Sequence, residues 1–368
     1  MGNRRGGFFF GSAMSTAASD NKGLGAFAIL TAFAALVLIS LGGLVTSHGA
    51  GLAVPDWPTT YGYNMFLFPV SRWVGGIFFE HTHRLMASVV GLLTAVLAIW
   101  LWVREPRRWV RRLGVIAFLA VLLQGLLGGL RVVWLKDQIG IFHAILAQLF
   151  FILLCAIALF CSRWWRNGLA GRPFADRAGL RGLILLTTAV VFCQLVVGAT
   201  MRQQHAGLAI PDFPLAYHKL WPPLDSASIA AYNARRADFQ GENAITAAQI
   251  ILQMTHRAMA LAIFVLVIVA ARRLHRQLGP CHVLSRFSLV WVGLILVQIA
   301  LGAFTIWSNK AADVATAHVV AGALTLATGA LLTVISFRVL IPIRASVSNA
   351  GEAILVGKPA GASAQRVH

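Results

Sequence analysis

Charge is scarce in this chain. Charged residues make up 12% of its 368 positions and apolar ones 58%, which excludes a water-soluble domain. Cysteine is nearly absent: Cys155, Cys161, Cys193 and Cys281 are the full set, and none falls in a segment read below as an outer loop. That leaves no pair for an extracytoplasmic disulfide. Proline is missing from the interiors of the long apolar runs, since nearly all 12 prolines lie between the runs or at their edges. Intact helices need that distribution. The N-terminus carries Arg4 and Arg5, but Phe8-Phe9-Phe10 is too short for a signal-peptide core, so the first run is expected to stay as an uncleaved anchor.

What is present is a set of eight apolar runs, at about 26–45, 77–102, 113–131, 139–161, 180–199, 248–271, 287–306 and 314–340. Each approaches or exceeds the roughly 20 residues needed to cross a bilayer. They are continuous rather than alternating, which predicts helices and not barrel strands. The net charge of +19 is a topology signal and not a nucleic-acid surface. Lys and Arg gather in the N-terminal tail, the loops near 103–113, 162–181 and 272–286, and the C-terminal end. The positive-inside rule then places both termini in the cytoplasm.

The chain also repeats itself. Ala50-Gly-Leu-Ala-Val-Pro-Asp-Trp-Pro58 returns as Ala206-Gly-Leu-Ala-Ile-Pro-Asp-Phe-Pro214, 156 residues later. Gln124 with Leu127-Gly128 answers Gln298 with Leu301-Gly302, and His143 answers His318. Four crossings return the chain to its starting side, so the halves are parallel repeats. The expected fold is an all-α membrane protein of eight transmembrane helices, arranged as two tandem four-helix bundles related by pseudo-two-fold symmetry. Its divisions are a cytoplasmic tail (1–25), an N-terminal bundle (26–161), a cytoplasmic linker (162–179), a C-terminal bundle (180–341) and a cytoplasmic tail (342–368). Gly125 and Gly129 are expected to form a small-residue face for close helix approach. Ser226–Gly241 is expected to form a short surface helix. Asp56 and Asp212 in the repeated loops suggest loop folding rather than chemistry.

The organising stretch is Phe79-Glu80-His81-Thr82-His83-Arg84 at the head of the second run. Ionisable groups there are costly beside lipid and normally face a protein interior, a cavity or a cofactor. The second half answers with Gln253-Met254-Thr255-His256-Arg257, keeping Thr-His-Arg and exchanging Glu80 for Gln253. His83, His143, His256 and His318 each lie near the outer end of an even-numbered run. A lone buried histidine is usually just a hydrogen-bonded residue. Four at matching depth in a duplicated pattern point instead to ligands presented across each bundle. Two facing neutral imidazoles suit a six-coordinate haem iron, whereas zinc would need further ligands that each unit lacks. His48, His81, His205 and His218 border the outer loops, and His275, His282 and His368 are expected to be cytoplasmic.

Glu80 precedes His83 by three residues and shares its helix face. It could act as an acid, a base or a stabiliser of developing positive charge. A helix-start acid favoured by the macrodipole is the plainer reading, and Gln253 at the matching position argues against it. Arg84 and Arg257 either pair with haem propionates or snorkel to the interface.

Taken together, Glu80-x-x-His83, the Gly-Leu-Val-Thr that opens the first outer loop, the duplicated Thr-His-Arg and the later histidine pair resemble the haem A synthase family. This membrane family also includes the mitochondrial assembly factor for cytochrome oxidase, and the resemblance covers about residues 26–340. It implies that the N-terminal half takes haem O as substrate, with His83 and His143 as the iron ligands of that site and Glu80 as the catalytic acid. It implies that the C-terminal half holds a haem b cofactor on His256 and His318. The implied reaction oxidises the C8 methyl of haem O, through a hydroxymethyl stage, to the formyl group of haem A. The implied setting is the inner membrane of a bacterium, in contact with lipid. Transient contact with haem O synthase and with oxidase assembly proteins is implied as well; a homo-oligomer is allowed, and nucleic acid is not a partner. Some bacterial members carry a cysteine pair in the first outer loop, and this chain has none in 46–76. The alternative is a di-haem b membrane electron-transfer protein, which needs two equivalent sites and no acid over one of them. A transporter is disfavoured because the runs are unbroken.

Overall fold

The computed structural model describes residues 22–167, 174–235 and 244–342. The expectations for most of the N-terminal tail, all but the first residue of the C-terminal tail, the middle of the linker and the end of the surface segment lie outside the described residues. Eight long helices carry the fold: α1 (Lys22–Ser47), α2 (Gly75–Arg104), α3 (Arg108–Trp134), α4 (Asp137–Cys161), α6 (Leu180–Gln203), α8 (Ala247–Leu278), α9 (Val283–Trp307) and α10 (Ala312–Val339). All eight are long and apolar enough to cross a membrane, and the protein is an all-α integral membrane protein. Two short helices lie between them, α5 (Arg163–Asn167) after α4 and α7 (Ser226–Arg235) in the long loop before α8. The second matches the described part of the expected surface helix.

The helices outrun the apolar segments that announce them. Helix α8 has 32 residues and ends at Leu278. At a 1.5 Å rise it is about 48 Å long, well beyond a hydrocarbon core of about 30 Å. Its extension is Arg272-Arg273-Leu274-His275-Arg276, good helix formers whose positive charges suit a helix C-terminus. Its start is fixed by a capping box between Thr246 and Gln249.

In the N-terminal half, α1 packs on α2 and α4, and α3 packs on α2 and α4, so the four helices close a ring. In the C-terminal half, α6 and α9 each pack on α8 and α10 in the same way. The rings meet where α1 and α4 pack on α10 and where α4 packs on α6. Each ring has its own apolar core, the first around Leu97, Leu101, Leu154 and Ile157, the second around Ile184, Trp291, Leu326 and Ile335.

At one end of the molecule, Arg107 donates to the carbonyl of Phe160 and Arg338 to that of Trp165. There β1 (Phe174–Ala175) pairs in parallel with β2 (Leu340–Ile341), tying the linker to the end of α10. Glu105 lies at this end too; burial alone would raise its carboxyl, but Arg107 beside it holds it below the usual range. One expectation is corrected. Gly125 is exposed and meets nothing, while the space at Gly129 is filled by the Trp57 ring from the first outer loop. The small residues therefore admit a loop tryptophan and do not form a helix-approach face.

Candidate functional site

The four histidines lie at the end opposite Arg107 and Arg338, within the first three turns of α2, α4, α8 and α10. Each imidazole rests on a glycine of the neighbouring helix. A methyl group on Gly42 of α1 would come within 3.0 Å of His83 Cε1, and one on Gly198 of α6 within 3.3 Å of His256 Cε1. Gly128 of α3 stands in the same relation to His143, and Gly302 of α9 to His318, both at 3.5 Å. All four rings thus lie close to helix backbone; an added methyl group would crowd the ring at Gly42 and Gly198 and would make ordinary contact at Gly128 and Gly302.

Glutamines hold the histidine backbones. Gln124 donates to the carbonyl of His143 at 3.0 Å, Gln298 to that of His318 at 2.7 Å and Gln194 to that of His256 at 2.9 Å. The repeat places Leu38 opposite Gln194, and leucine cannot donate, so His83 lacks this tether.

In the C-terminal ring, His256 and His318 have ring centroids 6.4 Å apart. Metal–imidazole bonds are about 2 Å, so two rings on one ion have centres about 6 Å apart. The pair therefore fits one metal between them. In all four histidines Nδ1 is buried without a well-formed hydrogen bond. The backbone of Leu38, Gln124 and Gln298 lies beside the rings of His83, His143 and His318 respectively. A ring whose Nδ1 turns to a backbone carbonyl presents Nε2 to a metal. Among the described residues, no three His, Cys, Asp or Glu side chains converge as a self-sufficient metal cluster. Two buried imidazoles beside helix glycines in each ring have the chemistry to ligate an iron porphyrin, and the spacing of His256 and His318 fits it.

Glu80 is 4% exposed and both its oxygens are engaged. Oε2 accepts from the Val54 backbone N–H at 2.9 Å and Oε1 from Arg84 Nη2 at 2.7 Å. Arg84 also donates to the carbonyls of Val54, Asp56 and Thr59. Gln253 occupies the same place in the other half: its Oε1 accepts from Ile210 N–H at 2.7 Å, and its Nε2 donates to the carbonyls of Gly207 and Ile210. Arg257 donates to the carbonyls of Asp212 and Leu215. In both halves the motif clamps the outer loop onto the histidine helix. Both arginines are committed to loop carbonyls.

The aspartates of the repeated loops have a role visible in the backbone. Asp56 accepts from the N–H groups of Tyr61 and Gly62 and from the Thr59 hydroxyl, and Asp212 from the N–H groups of Tyr217 and His218. Burial alone would raise the Asp56 carboxyl, but those bonds hold it below its ordinary range. Tyr61 then donates to Ala53 O and Tyr217 to Ala209 O, so the repeat runs past the matching nonapeptide. Loop folding, the role expected of these aspartates, is what they perform.

The remaining histidines are structural or peripheral. His81 is fully buried, bonded to Thr60 and flanked by Phe68 and Trp73; His48 stacks on Phe79. His205 and His218 are exposed in the second outer loop.

The model of the cytochrome oxidase assembly protein family matches residues 63–330. The chain belongs to this family. Among its relatives is the protein named heme A synthase of Halalkalibacterium halodurans, 26% identical over 304 residues, which cover 81% of this chain and 92% of that one. Heme A synthase of Geobacillus kaustophilus is 25% identical over 349 residues, covering 89% and 96%. That of a Caulobacter species is 31% identical over 264 residues, covering 69% and 71%. The family match spans Glu80 and all four histidines. The glycines under the imidazoles, Gln194 and the loop tyrosines were not singled out as site residues from sequence. The repeat offsets, which pair Gly42 with Gly198 and Gly128 with Gly302, carried that signal.

Proposed function

We propose that this chain is a haem A synthase: an oxidoreductase that converts the C8 methyl of haem O to a formyl group, giving haem A for terminal oxidases. The observation that carries the reading is a duplicated pair of buried histidines whose helix carries a carboxylate, Glu80, in one half and an amide, Gln253, in the other. Family membership and the names of the relatives support it. In this reading His83 and His143 hold the iron of the substrate haem, and His256 and His318 hold a haem b cofactor. The bound iron porphyrins supply the redox chemistry. The protein's part is to fix each ring against a helix, to exclude water, and to set the Glu80 carboxylate beside the substrate half. The division at 26–161 and 180–341 and the pseudo-two-fold relation between the rings belong to the same reading, supported by matching glycine, glutamine and loop contacts in both. The proposed setting is a bacterial inner membrane, where haem O synthase would hand over substrate and assembly proteins would receive product.

A di-haem electron carrier would have two equivalent halves. The exchanges of Glu80 for Gln253 and Leu38 for Gln194 argue against that equivalence.

The test is haem extraction and chromatography from cells that also express a haem O synthase. The wild-type chain should yield haem A. His256→Ala and His318→Ala should strip the purified protein of haem b, because each leaves the iron one ligand short. His83→Ala and His143→Ala should keep that haem and stop haem A formation. A haem b spectrum unchanged in both C-terminal variants would refute the ligand assignment.

A further inference from the structure

Helix α3 carries a cation that its counterpart α9 lacks. On α3, Gln124, Gly128 and Arg131 follow at four- and three-residue intervals and share one helix face. Gln124 holds the His143 carbonyl and Gly128 lies under the His143 ring, so Arg131 comes next on that stripe, towards the outer end. On α9 the same stripe reads Gln298, Gly302 and Thr305, and Thr305 turns its hydroxyl back to Leu301 O. The C-terminal half thus has no cation at this place.

Arg131 sits in a cradle of small residues. A Cβ on Gly51 of the first outer loop would meet its guanidinium at 3.0 Å, and one on Gly140 of α4 would meet the Gln203 amide at 2.6 Å and the Arg131 Nε at 3.2 Å. The counterpart of Gly51 is Gly207, which meets nothing, and the counterpart of Gly140 is Ala315. Gly140 also lies one turn before His143, so the cradle opens beside that ring. Arg131 is close enough to act electrostatically on both His83 and His143, and on Arg202.

Three other arginines at this end already hold protein carbonyls. Arg84 and Arg257 hold loop carbonyls, and Arg202 donates to Gly43 O and Ser47 Oγ, both at 2.6 Å. The Arg131 guanidinium has no hydrogen bond or ion pair among the described residues. Two guanidinium groups near one another without an anion are mutually unfavourable, and a carboxylate placed there would relieve both.

We propose that Arg131 is a positioning residue of the N-terminal half: its guanidinium binds a propionate carboxylate of the porphyrin held between His83 and His143 and fixes which way round the macrocycle sits. This rests on the reading of that half as the substrate site. It makes Arg131, rather than Arg84, the propionate partner there.

The probes are iron protoporphyrin as the free diacid and as its dimethyl ester. Each is titrated into purified protein in neutral detergent and followed by absorbance. Wild type should bind the diacid more tightly than the diester. Arg131→Met should weaken diacid binding about tenfold or more and leave the diester unchanged, on the usual scale for a bond to a charged group. Arg131→Lys should restore part of the difference. Gly51→Ala, which pushes on the guanidinium without removing it, should weaken the diacid selectively. Retention of the C-terminal haem spectrum reports that each variant folds. A diacid preference intact in both Arg131→Met and Gly51→Ala overturns the proposal and leaves the substrate site standing. If His83→Ala binds both probes as wild type does, the substrate-site reading falls, and this proposal falls with it.

Discussion

Glu80 and Gln253 do the same mechanical work with different charge. Each accepts a backbone N–H of the repeated loop, from Val54 and Ile210 respectively, and each is nearly inaccessible. The C-terminal half is therefore a natural control for the substitution Glu80→Gln. An amide at this position can hold its loop, and Arg257 shows that the adjacent arginine stays anchored on carbonyls without a carboxylate beside it. The variant should fold, retain haem b and bind the substrate porphyrin. Its yield of haem A should nevertheless fall, on the order of 10²–10³-fold, if the carboxylate stabilises positive character developing at the macrocycle edge in a dry site. Chromatography of extracted haems checks this. Haem A at the wild-type level would reduce Glu80 to a loop clamp. The exchange itself was legible in the sequence because the motif is written twice. Its partners were not, since a backbone N–H is the same for every letter and only the fold decides which loop reaches Glu80.

Elements carry the next constraint, because an imidazole edge can come this close to a helix at Gly42 and Gly198 only where there is no side chain. Gly42 on α1 and Gly198 on α6 occupy matching places, five residues before their helix ends. Gly198→Ala should push the His256 ring off the backbone at a cost of about 1–3 kcal/mol for overpacking. The purified protein should then hold less haem b and absorb at shifted wavelengths. Gly42→Ala should leave that haem in place and lower haem A yield through His83. A pyridine haemochrome assay with thermal unfolding of both variants reads the difference; an unshifted, fully loaded Gly198→Ala protein would show that the contact does not matter. The helices themselves were legible, since eight apolar runs have one way to satisfy their backbone in lipid. Their ends were not, because Arg272–Arg276 reads as loop by hydropathy and as helix by propensity. The Gly125 and Gly129 pair misled for a related reason: a small residue announces that something comes close, and here it was Trp57.

At the scale of the whole molecule, the contacts sort the loops into two ends without a membrane to refer to. The turn after α2, the end of α4, the linker strand and the end of α10 are joined by Arg107 on Phe160, Arg338 on Trp165 and the pairing of Phe174 with Leu340. The repeated loops, the four histidines and α7 lie at the other end. The first end holds Arg104, Arg107, Arg108, Arg111 and Arg112 in one turn and Arg272, Arg273 and Arg276 in another. The second end is long in loop and poor in cations, and its Arg84, Arg202 and Arg257 are tied to the protein. Positive charge flanking spans resists translocation, so the basic end should face the cytoplasm and the histidines should lie near the opposite surface. Reporter fusions at Asp176 and Ser228 test this, one placed in the linker and one at the start of α7. A cytoplasmic reporter should be active at Asp176 and an export-dependent one at Ser228. Activity of both on the same side would contradict an odd number of crossings between them and remove the parallel relation of the halves. The reverse pattern would keep eight spans and place the haem-facing end in the cytoplasm.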